Sequence, residues 1–179
     1  MSDSREKALL KRCRKGDRKA LAELLGKYER PVYNAAYRIM GNPDDAADIT
    51  QVVFLKAFEN LEQYDPKYKF FSWIYRIAIN ESINQNKRGQ RQQPLGDYEP
   101  AASGGPDHDA EAGDLSREIQ ESLMALKDNY RTIVVLRHFS DFSYREISEI
   151  LQIPEKTVKS RLYSARQLMK QTLQDRGVY

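Results

Sequence analysis

The chain has a single cysteine, so neither an internal disulfide framework nor a cysteine-based zinc site can form. That usage fits a reducing, cytoplasmic setting. No apolar run exceeds five residues, against about 20 needed to cross a bilayer, so no membrane insertion is expected. The first residues, MSDSREKALLKRC, lack the apolar stretch of a secretory signal. The only two histidines, His108 and His138, have no partners at metal-ligand spacing. A glycine-rich phosphate loop, a His-Glu-x-x-His motif and a nucleophile elbow are all missing. No enzymatic activity, no metal and no cofactor are expected. Cys13 lies between Arg12 and Arg14, which can lower a thiol pKa; an inert bystander is the simpler reading.

The 179 residues fit one domain or two small ones. Charge is nearly balanced at +3, but unevenly placed. Residues 1–88 carry a net +5, residues 89–114 a net −5, and residues 115–179 a net +3. The middle stretch holds three of the seven prolines, five of the nine glycines and almost no large aliphatics. Such a segment cannot bury enough apolar surface to offset its chain entropy. We therefore expect two domains, 1–90 and 115–179, joined by a flexible acidic linker over 91–114. The linker is either a plain spacer or a segment with a binding role of its own.

No segment alternates like a strand, and the fold class is all-α. Leu21, Leu24, Leu25 and Tyr28 recur at helical spacing and continue into Val32, Ala36 and Ile39. Pro31 is expected to kink or interrupt that stretch. Asn42-Pro43 reads as a cap and first residue of the next helix. Its apolar stripe runs through Ile49, Val53, Phe54, Ala57, Phe58 and Leu61. A further helix is expected over about 70–87. In the second block, Ile119, Leu123 and Leu126 mark one helix, and Ile133, Val134 and Leu136 another.

Ser143-Tyr144-Arg145-Glu146 is a capping box that opens a short helix. Gln152-Ile153-Pro154 closes it, with Pro154 placed as the first residue of the last helix. A short capped helix, a tight turn and a longer basic helix form the pattern of a helix-turn-helix. On the last helix, Val158, Leu162, Ala165 and Met169 share one side. Lys156, Lys159, Ser160, Tyr163, Gln167 and Lys170 share the other, and Arg166 lies at its edge. Such donors can meet phosphates and base edges in a major groove. The alternative is a solvated basic face.

Tyr64, Tyr68, Phe70, Phe71, Trp73 and Tyr75 fall within twelve residues, interleaved by Lys67, Lys69 and Arg76. Rings that stack on bases beside cations that hold the backbone suit single-stranded nucleic acid. An extruded base would sit near the 64–69 loop. Alternatively, the rings belong to the core.

Four stretches, in order, resemble the extracytoplasmic function (ECF) family of bacterial RNA polymerase sigma factors. They are Gly16-Asp17 with Ala20 to Tyr28 and Val32-Tyr33; DDAADITQVVFLKAF at 44–58; FFSWIYRIAINESINQNKR at 70–88; and YREISEILQIPEKTVKSRLYSARQLM at 144–169. The resemblance implies a region 2 helical bundle and a region 4 helix-turn-helix. Asp45, Asp48, Gln51, Phe54, Leu55 and Lys56 would then meet the clamp helices of the polymerase's largest subunit. Ala47 and Val52 depart from the acidic residues usual there. Trp73, Arg76, Asn80, Asn84, Lys87 and Arg88, with Tyr64, Lys67, Lys69 and Phe70 ahead of them, would engage the melted −10 element. Lys156, Lys159, Ser160, Tyr163 and Arg166 would engage the duplex −35 element. Implied partners are core RNA polymerase, including its flap, promoter DNA, and an anti-sigma factor able to hold the protein at the membrane. A stand-alone helix-turn-helix regulator is the alternative.

Overall fold

The computed structural model describes residues 3–92 and 110–178, with side chains described over 5–89 and 115–178. Eight α-helices account for nearly all of it: α1 (Asp3–Cys13), α2 (Arg18–Met40), α3 (Pro43–Glu59), α4 (Phe70–Gln92), α5 (Ala110–Met124), α6 (Asp128–Val134), α7 (Tyr144–Leu151) and α8 (Glu155–Asp175). A 3-10 turn, Leu61–Gln63, follows α3, and a π turn, Val135–Phe139, extends α6. No strand is present among the described residues.

Local chemistry sets the helix ends. Asp17 caps α2 by accepting from the Lys19 and Ala20 amides. These bonds, the first of them from Ala20, together with Arg12 hold its carboxyl below the ordinary carboxylate range. Gly41 closes α2 in a left-handed conformation, φ 74°, that glycine adopts without strain. Asn42 then caps α3, with Pro43 at its first turn as expected. Pro31 does not interrupt α2, which runs unbroken through it. The Pro31 carbonyl accepts from the Tyr75 hydroxyl of α4, so packing against α4 supports the helix where proline withholds an amide. Pro154 is the cap of α8 rather than its first residue.

Helices α1 to α4 form the first module and α5 to α8 the second. Helix α2 lies at the centre of the first and packs against α1, α3 and α4. Helices α4 and α5 extend into the stretch assigned to the linker, to Gln92 and from Ala110. The rest of that linker, residues 93–109, lies outside the described residues. The two modules are not held apart: α4 packs on α7, and α2 on α5, α6 and the π turn. Their buried side chains form one continuous apolar cluster, from Leu9 through Ile74 to Ala165. A sequence periodicity reports which face of a helix is buried, not which module covers it.

Candidate nucleic-acid interface

The turn before α8 is built by Gln152, which takes a left-handed conformation, φ 54°, where glycine is the usual choice. Its backbone amide donates to the Ser148 carbonyl, and the Ser148 hydroxyl donates to Ile153 O at 2.6 Å. Both halves of the capping box at Ser143 and Glu146 are present. These bonds fix α8 against α7 through buried Val158, Leu162 and Ala165. Lys156, Lys159, Ser160, Tyr163, Arg166, Gln167 and Lys170 are all exposed, Tyr163 at 68%. Lys159 pairs with Glu155 at 3.0 Å and stands 5.7 Å from the Tyr144 ring centre. Arg166 Nε donates to His138 Nε2. That bond needs a neutral imidazole; burial first, and then Arg166 and Arg137, lower the His138 pKa.

The aromatic segment divides. Tyr64 and Phe70, expected to meet bases, are buried at 7% and 1%. Their rings meet edge to face at 5.2 Å, and the Tyr64 hydroxyl donates to Tyr68 O. They are core residues that shape the loop, and neither ring is available for stacking. Tyr75 is also buried. Trp73 is half-buried, 5.5 Å from both the Tyr64 and Phe70 rings. With Ile77, Asn80, Lys56, Asn60, Gln63 and Glu81 it lines an open cleft of about 240 Å³. Arg76, Asn80, Asn84, Lys87 and Arg88 follow on the exposed side of α4. Lys67 is exposed in the loop, and Lys69 is paired with Glu146 of the second module at 2.7 Å.

On α3, Asp48, Gln51 and Leu55 face outward, while Asp45, Phe54 and Lys56 are half-buried. Asp45 accepts from Gln85 and Lys56 pairs with Glu81, so both face α4. Phe58, expected in the apolar stripe, is 50% exposed; with Val52 and Leu55 it forms an apolar strip on the outer face. Burial, then Asp17, raises the Cys13 pKa, and Arg12 opposes only weakly. The thiol is buried, which answers the activation that its flanking arginines imply.

Two family models match the chain: Sigma-70 region 2 over residues 24–92, and Sigma-70, region 4 over residues 116–169. The chain is 34% identical to the ECF RNA polymerase sigma factor SigW of Bacillus subtilis, across 94% of this chain and 97% of that one. The chain belongs to the ECF family of RNA polymerase sigma factors. It is an alternative sigma factor, a DNA-binding protein of transcription. The RNA polymerase sigma-H factor of Pseudomonas aeruginosa is 28% identical, over 97% of this chain and 96% of that one. Among solved structures, CnrH in complex with the cytosolic domain of CnrY aligns with a TM-score of 0.74 and 22% identity. That alignment covers 96% of this chain and 98% of the other, and it speaks to the fold.

In sigma-factor terms, the first module carries region 2 and the second carries region 4. Among the described residues, no helix of this sigma factor is long and apolar enough to cross a membrane, and no group of His, Cys, Asp or Glu is placed to hold a metal. Sequence reasoning missed Phe58 as a surface residue: hydrophobicity assigns it inward, and only helix phase beside the polar Asp48 and Gln51 points it outward.

Proposed function

We propose that the outer face of α3 docks on core RNA polymerase, that the exposed side of α4 with the 64–69 loop holds the melted −10 strand, and that the outer face of α8 reads the duplex −35 element. The observation that carries this reading is the outer face of α8. From Lys156 to Lys170 it is exposed and rich in donors, with a single carboxylate, Glu155, beside Lys159 at its start, as suits a helix entering an electronegative groove. On α3, Asp48 and Gln51 beside the Val52, Leu55 and Phe58 strip suit a partner surface that is part basic and part apolar. In region 2, Trp73 and Asn80 offer a ring and an amide to an unstacked base. Domains 1–90 and 115–179, joined through the acidic linker, make the second contact intramolecular once the first is made.

The protein acts in the bacterial cytoplasm and performs no catalysis of its own; its work is recognition and strand separation. One solved relative is the sigma factor RpoE in complex with the anti-sigma factor NepR from Bartonella quintana. By analogy, an anti-sigma factor holds this chain in reserve. Run-off transcription with core polymerase over a promoter library tests the reading: specific transcripts are expected. A chain that binds its promoter tightly without core enzyme, and directs no transcription with it, is instead a stand-alone regulator.

A further inference from the structure

Residues 11–19, KRCRKGDRK, hold six basic side chains and one acidic, a net +5 within a chain whose total is +3. They lie ahead of residues 24–92, which carry region 2, and form the end of α1, the turn after it and the start of α2. The fold fixes which way they face. Leu9, Leu10 and Cys13 of α1 and Ala20 and Leu24 of α2 are buried, so the basic residues beside them turn outward. The turn is held by its own backbone. Gly16, left-handed at φ 81°, donates its amide to Cys13 O, and the Asp17 amide donates to Arg12 O. Asp17 is the one acid of the stretch. Its carboxylate caps α2 and accepts from Arg12 Nε at 2.9 Å. Lys11, Lys15, Arg18 and Lys19 are exposed and pair with no carboxylate among the described residues. Cations crowded in this way repel one another, and a polyanion relieves that repulsion.

Arg14 ties the turn to the loop before α4. Its Nη2 donates to Tyr64 O at 2.8 Å. Tyr64 is buried, with its ring 5.5 Å from Trp73 and its hydroxyl donating to Tyr68 O. The cationic turn and the open cleft at Trp73 therefore flank one residue. Within the loop, Lys67 and Tyr68 are exposed. Its acid, Asp65, accepts from the Lys67 amide and is too little to neutralise the turn.

We propose that the α1–α2 turn is a further DNA-binding surface, on which Lys11, Lys15, Arg18 and Lys19 hold the phosphates of the melted strand where it runs on from the 64–69 loop. The inference rests on the reading of that loop and α4 as the −10 surface. Contacts to phosphates position a strand and carry no sequence information. Residues 11–19 include no aromatic ring, so the turn has no platform for stacking bases. A lysine meets a phosphate as a point charge on a flexible stem, which suits a mobile single strand. Once the −10 bases are seated in the cleft, the contact at the turn is intramolecular and gains from their proximity. The turn keeps the strand separated, and the cleft chooses its sequence.

The test uses the full chain bound to core polymerase. Lys15→Gln/Arg18→Gln/Lys19→Gln removes three exposed cations that take no part in the fold's side-chain bonds. Lys15→Arg/Arg18→Lys/Lys19→Arg keeps their charge, and Arg30→Gln removes an exposed cation elsewhere on α2. The probes are the bare −10 strand and the same strand extended on both sides, with the extensions in native and scrambled sequence. Wild type is expected to bind the extended strands more tightly than the bare one, scrambled as well as native. The glutamine variant should bind the extended strands about tenfold more weakly than wild type, and its slope of log affinity against log salt should fall by about 2, at about 0.7 per lost phosphate contact on a single strand. Its affinity for the bare strand, for −35 duplex and for core enzyme should match wild type, as should its helix content. The charge-preserving variant and Arg30→Gln should behave as wild type. An unchanged affinity and salt slope on the extended strands overturns the proposal and returns the turn to plain solvation. A loss equal on bare and extended strands, or a loss of core binding, overturns it too. A wild-type complex with no preference for the −10 strand over an unrelated one overturns the reading of α4 instead, whatever the turn contributes.

Discussion

The two helices proposed to meet DNA, α4 and α8, present their exposed sides in different ways. Helix α8 buries a narrow line, Val158, Leu162 and Ala165, and leaves its whole opposite side exposed. Helix α4 is held by α2, α3 and α7, and it buries Phe70, Ser72, Ile74, Tyr75, Ala78, Ile79 and Ser82. Little of its first half is left for a ligand. The difference separates two kinds of interface. On α8, the proposed recognition surface is laid over a finished scaffold. In α4, half-buried Trp73 belongs both to the proposed surface and to the packing against Tyr64 and Phe70, so the proposal makes binding and stability coupled there and independent on α8.

Trp73→Ala presses hardest on that distinction. The ring is half-buried against Tyr64 and Phe70, so its loss should lower unfolding free energy by about 2 kcal/mol, below the full-burial range. It should also slow promoter melting. Urea denaturation and open-complex kinetics read the two effects, and coupling requires both. Slower melting at unchanged stability would make α4 behave like α8 and break the contrast.

Tyr163→Ala is the counterpart on α8. At 68% exposure the ring supports little of the fold, and stability should move by no more than about 0.5 kcal/mol. Binding to −35 duplex by the polymerase-bound protein should fall about tenfold, within the range for one base-edge contact. A footprint that is unchanged would return this face to plain solvation.

The same contrast explains what could be read from the sequence. The all-α class, the Asn42 and Ser143 caps and the exposed side of α8 follow from local rules, because a helix that packs along one line shows its phase in its residues. The fates of Tyr64 and Phe70 do not, since a ring beside a lysine has one composition whether it packs or stacks. Phe58 fails for the converse reason: a ring suited to a core was left outside on α3. The docking of region 4 on region 2 depends on the π turn and on left-handed Asp141, which aim Phe142. Neither feature has a residue pattern that marks it in advance.

Lys159 gives the finest division. In the free protein it is paired with Glu155, and both side chains are about half exposed. An exposed pair of this kind contributes little to stability, so Lys159→Ala should leave the denaturation midpoint almost unmoved. If Lys159 meets a phosphate, its loss weakens binding evenly across sequences and reduces the slope of log affinity against log salt by about 0.9. If it reads a base edge, the loss falls on one position of the site and the salt slope stays nearly constant. Titrating wild type and variant from low to high salt on matched and mismatched −35 duplexes separates the two. A uniform loss assigns Lys159 to positioning and leaves base reading to neighbours such as Tyr163, dividing α8 again, within its exposed face, into residues that hold the duplex and residues that choose it.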